Sequence, residues 1–363
     1  MKAINYALVL AVLPKYRAEC IGLLKNEFAD DLSIYISDAH LDPSVKSGIP
    51  TNYYNRMTMH RAFTGKLFLQ IASDFTPLRA RNIVVDLNPR SVTAWLLLIS
   101  RYIIRRRTLV WGHVHPQKGA SSRTKYLRLA MRRLSAGTIL YTYKDMLKAR
   151  ADLPNARVWV APNSLYKAEM IRAGSGDSVR DNVLYVGRFE PAKKVGLLLK
   201  SFAQIEKILP DVGLVLVGGG TEEGMLRNMA EELGILDKVT FAGWIDDASD
   251  LEPIYDNAFC TVSPGFAGLG LTQSLGFGVP MIVADDEPHS PEIELAASGG
   301  IRWFASNSID GLRSAIIDSA GERSSVPDKL LSIYVRERYS AERMAAGLSD
   351  ALRNVASVDE EKL

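Results

Sequence analysis

The sequence predicts an α/β protein of two Rossmann-like, doubly wound domains facing across a cleft. Three observations carry this. Short continuous apolar runs alternate with single segments of helical periodicity, the pattern of parallel strands covered on both faces. The alternation is run through twice, and a stretch rich in glycine, serine and charge, APNSLYKAEMIRAGSGDSVRDN, separates the two series. With 363 residues, 47% apolar and 23% charged, the chain can bury two cores and is too apolar for disorder. A first domain is expected over residues 1–168, a second over 169–335, and a closing helix over 336–363.

In the first series the strands are YALVLAVL, LSIYIS, NIVVDL, TLVWGH, GTILYTY and RVWVAP, with helices between, notably VTAWLLLISRYIIRR. The second series is clearer. NVLYVG reads as a strand, VGLLLKSFAQIEKIL as a helix, GLVLVG as a strand, and TEEGMLRNMAEELG as a helix closed by Gly234. The strand VTFAG, a helix around LEPIYDNA, the strand FCTVS, a helix across TQSLGFG, and the strands PMIVAD and GIRWFA complete it. SAERMAAGLSDALRNVA is an amphipathic helix capped at Ser340. There is no short-period repeat and no low-complexity tract.

The formal net charge of +3 hides an asymmetry: residues 1–170 hold 26 Lys and Arg against 11 Asp and Glu, and the remainder 18 against 30. Basic side chains are densest from Arg101 to Arg133, a run without a single acid in which arginines interleave with Tyr102, Ile103, Ile104, Tyr126 and Leu129. Such a run attracts anionic lipid headgroups, phosphorylated substrates or nucleic acid, and charge alone does not choose among them; the interleaved apolar residues favour an amphipathic, membrane-proximal surface. Nucleic acid is a poorer fit, since there is no recognition motif and the second half is acidic. Cys20 and Cys260 stand far apart with no metal-ligand spacing, which fits a reducing compartment. MKAINYALVLAVLPKYR reads as a first buried strand, because Asn5 and Tyr6 interrupt its apolar run and no small-residue cleavage site follows. No apolar run reaches the ~20 residues a membrane helix needs, so a soluble or peripheral protein is expected.

Ligands in doubly wound sheets bind at the carboxyl ends of the strands. Three strand ends of the second domain carry groups suited to an anion. LYVG, ending in Gly187, is followed by RFEPAKK, where Arg188 and Lys193 can fold toward one point. LVLVG is followed by Gly219-Gly220, and TVS by PGFAGLGLTQSL, whose bare backbone leads into a helix. Free N–H groups there would bind phosphate without a charged side chain. The glycine spacing is not that of a dinucleotide fingerprint. Together the groups describe a diphosphate site.

At this point the chain resembles the family 4 nucleotide-sugar-dependent glycosyltransferases, which have the GT-B fold. The residues that carry the resemblance are YVGRFEPAKKVGLLLKSF, LVLVGGGTEEGMLRNMAEELGILDKVTFAGWI, LEPIYDNAFCTVSPGFAGLGLTQSLGFGVPMIVAD and, more loosely, LPKYRAE, WGHVH and VAPNS. The resemblance implies that Arg188 and Lys193 hold the donor diphosphate and stabilise it as a leaving group, with no metal and no other cofactor. It implies a donor site completed by Gly187, Gly219, Gly265, Ala267, Gly268, Leu269 and Gln273. The family usually has two glutamates at the places of Gly265 and Gln273. Gln273 can still bond ribose hydroxyls, but Gly265 has no side chain, so the sugar contact is expected from backbone or from His289, Glu292 and Glu294. A subgroup acting on bacterial surface polysaccharides shares the SPGxxGL form. His113, with His115 as competitor, matches a histidine near sugar and acceptor, and Tyr16 and Arg17 match the acceptor-side loop after the first strand. Asp246-Asp247 and Asp285-Asp286 are read as solvated or capping loop acids, not as metal ligands.

The expected function is therefore transfer of a hexose, with retention, from a UDP- or GDP-linked sugar to a glycan or lipid-linked glycan in surface polysaccharide biosynthesis. The expected place is the inner face of the cytoplasmic membrane, reached through the Arg101–Arg133 region. The competing reading is a non-catalytic nucleotide- or sugar-binding partner of a polysaccharide assembly system, motivated by Gly265 and Gln273.

Overall fold

The computed structural model describes residues 4–40, 46–62, 65–114, 124–176 and 178–356. Two compact units divide the chain: residues 1–167 with 339–363, and residues 168–338.

The first unit is built on β1 (Tyr6–Val9), β2 (Leu32–Ile36), β3 (Asn55–Arg56), β4 (Thr58–Ala62), β5 (Leu67–Ile71), β6 (Asn82–Asp86), β7 (Arg107–Trp111), β8 (Thr138–Leu140) and β9 (Val158–Val160). Its helices are α1 (Ala18–Phe28), α2 (Thr76–Arg79), α3 (Val92–Ile103), α4 (Thr124–Leu134) and α5 (Lys144–Asp152). Seven strands form one parallel sheet in the order β3-β2-β1-β6-β7-β8-β9. The order reverses between β1 and β6, which leaves a crevice at their carboxyl ends. β4 and β5 form a separate antiparallel hairpin that the sequence pattern did not announce. Buried Gln70 of β5 donates to the Leu10 and Ala11 carbonyls and to Ser37, satisfying backbone left open where β1 ends.

In the second unit, β10 (Asn182–Val186), β11 (Gly213–Val217), β12 (Val239–Gly243), β13 (Ala258–Ser263), β14 (Met281–Ala284) and β15 (Ile301–Phe304) alternate with α6 (Val195–Ile205), α7 (Glu223–Glu232), α8 (Ala248–Asp256), α9 (Gly270–Gly276), α10 (Ile309–Gly321) and α11 (Lys329–Tyr339). The sheet is parallel, in the order β12-β11-β10-β13-β14-β15, so its reversal falls between β10 and β13. The apolar stripe of α6 (Val195, Leu198, Leu199, Phe202) meets Val183, Leu214 and Leu216 in one core. Burial of such side chains is the main stabilising term, about 1.5–3 kcal/mol for each large one.

The last helix, α12 (Ala341–Arg353), belongs to the first unit. Ser340 caps it by accepting the Arg343 N–H, and Met344, Leu348, Ala351 and Leu352 enter the core beneath β1, β2 and α1. A Cβ on Gly347 would lie 2.0 Å from the Val160 carbonyl oxygen, so the helix rests directly on the β9 backbone. Among the described residues no helix is long and apolar enough to cross a membrane.

Candidate active site

The switch point of the second unit gathers two loops. Past β10 the chain passes Gly187, Arg188 and Phe189 and winds through a short turn at Pro191–Lys193. The Phe189 N–H donates to the Gly219 carbonyl at 2.8 Å, and the Tyr185 hydroxyl donates to the Arg188 carbonyl at 2.8 Å. Past β13, the Phe266 N–H reaches the Ala192 carbonyl at 3.0 Å, while Lys193 Nζ donates back to the Phe266 carbonyl at 2.8 Å. Gly265 lies where these loops press together: a Cβ there would stand 2.4 Å from the Ala192 oxygen. The sequence reading laid this glycine against a ligand; the structure lays it against the chain's own cation loop. A glutamate at this place would have no room for its Cβ.

The arrangement leaves two cations without a counter-charge. Arg188 is exposed, and among the described residues neither Arg188 nor Lys193 pairs with a carboxylate, whereas neighbouring Lys194 pairs with Glu287. Burial, and then the charge of Arg188, bring the Lys193 ammonium down to about 8. The site therefore disfavours its own charge until an anion arrives. The N–H groups of Gly268, Leu269 and Gly270 have no acceptor among the described residues and lie on partly buried backbone beside these cations' loop. Two cations and three open N–H groups at a strand-order reversal can hold a diphosphate and take up charge that develops on it.

Other expected donor contacts are placed differently. Ala267 cannot offer its backbone N–H, because that group donates to His289 Nδ1 at 3.1 Å, and its carbonyl accepts from Ser290 at 3.0 Å. His289 is neutral with its proton on Nε2, which faces the Ala284 carbonyl at 2.8 Å, and burial lowers its pKa. It ties β14 to the glycine loop, and sequence spacing gave no sign of this. Glu292 is buried and accepts the Ser290 hydroxyl. Glu294 is partly buried two residues on. Gln273 is buried, its carbonyl oxygen accepting the Tyr255 hydroxyl at 3.1 Å. Gly187 and Gly219 line the β10 and β11 ends, where Gly187 donates to Val217 at 2.9 Å.

In the first unit, a second cluster sits at the β1/β6 reversal. Asp86 ends β6 and accepts the Ala11 N–H across the switch point. Burial raises its carboxyl to about 6, against the opposing pull of that N–H and of Arg17. Arg17 is buried, donates to Asn163 at 3.1 Å, and lies 4.4 Å over the Trp111 ring, with Tyr16 beside it. His113 follows β7, its ring 4.9 Å from that of Tyr141. Burial, then Arg128, lower it to about 4, so it is neutral at physiological pH. His115 lies outside the described residues. Asp86 was not singled out from sequence, although an acid closing the apolar run IVV is the available signal.

The Arg101–Arg133 run is not one continuous surface. Arg101 is fully buried, donating to Thr108 and to the Pro77, Leu78, Arg81 and Arg107 carbonyls. Arg132 is buried on Asp152 and Ala149. Both would leave carbonyls or a carboxylate unsatisfied if they turned outward. Residues 115–123, inside the run, lie outside the described ones. Asp247 caps α8 and Asp246 accepts the Trp244 N–H at 2.6 Å. Among the described residues no group of three or more His, Cys, Asp or Glu could hold a metal.

Residues 169–321, within the second unit, match the family described as Glycosyl transferases group 1. The lipopolysaccharide core biosynthesis glycosyltransferase LpsE of Rhizobium meliloti is 30% identical over 139 residues, 38% of this chain and 36% of that protein. The O-antigen chain mannosyltransferase RfbU of Salmonella typhimurium is 28% identical over 153 residues, 41% of each chain. The chain thus spans well under half the length of these relatives. Among solved structures, Anabaena HepE in complex with UDP superimposes with a TM-score of 0.68 at 14% identity, covering 97% of this chain and 100% of that one. The lipopolysaccharide outer core galactosyltransferase WaaB, apo form, gives 0.62 at 13% identity, covering 96% and 99%. The fold is GT-B.

Proposed function

We propose that the protein is a glycosyltransferase that moves a hexose, with retention, from a UDP- or GDP-linked sugar to a glycan or lipid-linked glycan of a surface polysaccharide. The single observation that carries this is the pair Arg188 and Lys193, unpaired with any carboxylate among the described residues, at the strand-order reversal of a glycosyltransferase group 1 domain. Breaking the bond to the anomeric carbon leaves negative charge on the β-phosphate. Fixed cations and backbone N–H groups that meet this charge lower the barrier without a divalent ion. Gly268, Leu269 and Gly270 would supply the N–H groups. On the acceptor side, Tyr16, Arg17 and neutral His113 would hold the acceptor sugar. That HepE was solved with UDP, and that LpsE and RfbU carry names from lipopolysaccharide assembly, supports the substrate class. The acceptor would be met at the inner face of the cytoplasmic membrane.

The test is calorimetric titration with UDP, GDP, ADP and CMP, with and without magnesium, followed by turnover of the matching nucleotide sugars. One nucleoside diphosphate should bind without metal. Arg188→Ala should abolish that binding and lower turnover on the order of a hundredfold, the scale of losing one transition-state charge partner. Unchanged turnover in both Arg188→Ala and Lys193→Ala would sink the assignment. Gly265, with no side chain, and Gln273, held by Tyr255, favour a second reading as a non-catalytic nucleotide-binding partner. Nucleotide binding with neither transfer nor slow donor hydrolysis would select it.

A further inference from the structure

The outer face of α3 is apolar where a solvated helix would be polar. Ala94, Leu98 and Arg101 turn inward, while Leu96, Ile99 and Ile103, spaced by three and four residues, are 57%, 47% and 72% exposed. Tyr102 and Ile104 extend the stripe, and the adjacent α4 exposes Tyr126 and Leu127. Isolated surface hydrophobes need no explanation, but a contiguous row with a basic rim does. The rim is at the amino edge of the sheet. There Arg105, Arg106 and Arg107, with Tyr102, Ile103 and Ser135, line a pocket of about 590 Å³. Arg81 and Arg157 stand close enough to depress Arg107, after burial, by their charge. Among the described residues none of these five arginines is paired with a carboxylate, whereas buried Arg132 is. Arg133 and Lys125 add cations on α4.

We propose that this α3–α4 face docks on a bilayer carrying anionic phospholipid, the apolar row entering the interface and the pocket arginines taking lipid phosphates. A bilayer surface offers hydrocarbon beneath phosphate, the same order as an aliphatic ridge with a cationic rim. Nucleic acid would satisfy the arginines and leave the leucine and isoleucines uncovered. The inference rests on the reading of a membrane-borne acceptor. It refines the expected basic surface by removing Arg101 and Arg132 from it and adding Leu96 and Ile99.

The full chain is sedimented with vesicles of phosphatidylcholine alone and of phosphatidylcholine with phosphatidylglycerol. Binding to the anionic vesicles only is expected. Leu96→Gln/Ile99→Gln/Ile103→Gln and, separately, Arg105→Glu/Arg133→Glu should each weaken it on the order of tenfold or more. Both variants change exposed side chains and should keep the wild-type melting temperature and nucleotide diphosphate affinity in solution. Equal binding to both vesicle types, or unaltered binding by either variant, overturns the proposal. So does a change from dimer to monomer in the triple variant without loss of vesicle binding, which would make the face a contact between copies. Wild-type chain that binds nucleotide but no vesicle refutes the docking and leaves the enzyme reading intact. Vesicle binding without nucleotide binding does the reverse.

Discussion

Lys193 is a cation held where the fold disfavours it, and that gives ligand binding a pH dependence. Its unliganded pKa is about 8, and a bound diphosphate would raise it, so binding above that pH takes up a proton. The expected result is an affinity that is flat below pH 8 and falls by up to about tenfold per pH unit above it. Calorimetry in buffers of different ionisation heat would show the proton uptake, and Lys193→Arg would abolish the slope while keeping binding. A wild-type affinity constant to pH 10 would show that Lys193 does not face the diphosphate. The pair Arg188 and Lys193 was legible in sequence because both cations lie on one short loop after a clear strand. Asp86 was not, and His289 was legible only as a candidate sugar contact, not as the tie to the Ala267 N–H. Asp86 takes its meaning from Ala11, 75 residues away, and His289 from Ala267, 22 residues away. No spacing rule reaches such partners.

Between the β10 and β13 loops, packing decides what the glycines mean. Gly265→Ala would drive a methyl group to 2.4 Å from the Ala192 carbonyl, which backbone movement must relieve. A loss of about 1–3 kcal/mol in stability, measured by denaturant unfolding, is expected, together with weaker nucleotide binding as the cation loop shifts. Gly268→Ala meets nothing closer than 3.6 Å and should change stability by less than about 0.5 kcal/mol. Equal effects at the two positions would refute this account of the loop. The glycine run was visible in sequence, but which glycine serves the fold and which leaves an N–H open was not, because that depends on what lies opposite. The strands and the caps at Ser340 and Gly234 were legible because periodicity and capping are local. The β4–β5 hairpin was not: Thr58–Ala62 is mostly exposed and carries no apolar alternation.

At the scale of the molecule, α12 closes a core that begins at β1. Asn82 donates to the Leu352 carbonyl, and Trp159 to Val355 at 2.8 Å, so the helix end is bonded into the sheet as well as packed on it. Gly347→Ala would force the helix off the β9 backbone at a 2.0 Å approach. The first unit should then melt several degrees lower, with the second unaffected, as followed by hydrogen exchange in each. Uniform loss of protection, or none, would contradict this packing. The return of the chain has a consequence for biogenesis. Residues 168–338 are an insertion within the first unit, and the two crossing strands of chain are pinned by the Ala341 N–H on the Tyr166 carbonyl at 2.9 Å. As the polypeptide leaves the ribosome, the part made first has no Met344, Leu348 or Leu352 to cover Leu8, Ile34 and Trp159. The inserted unit can complete its own core before that happens. The half of the protein that is translated first is thus the half that finishes folding last, and until then its unfinished core is a surface for chaperones to shelter.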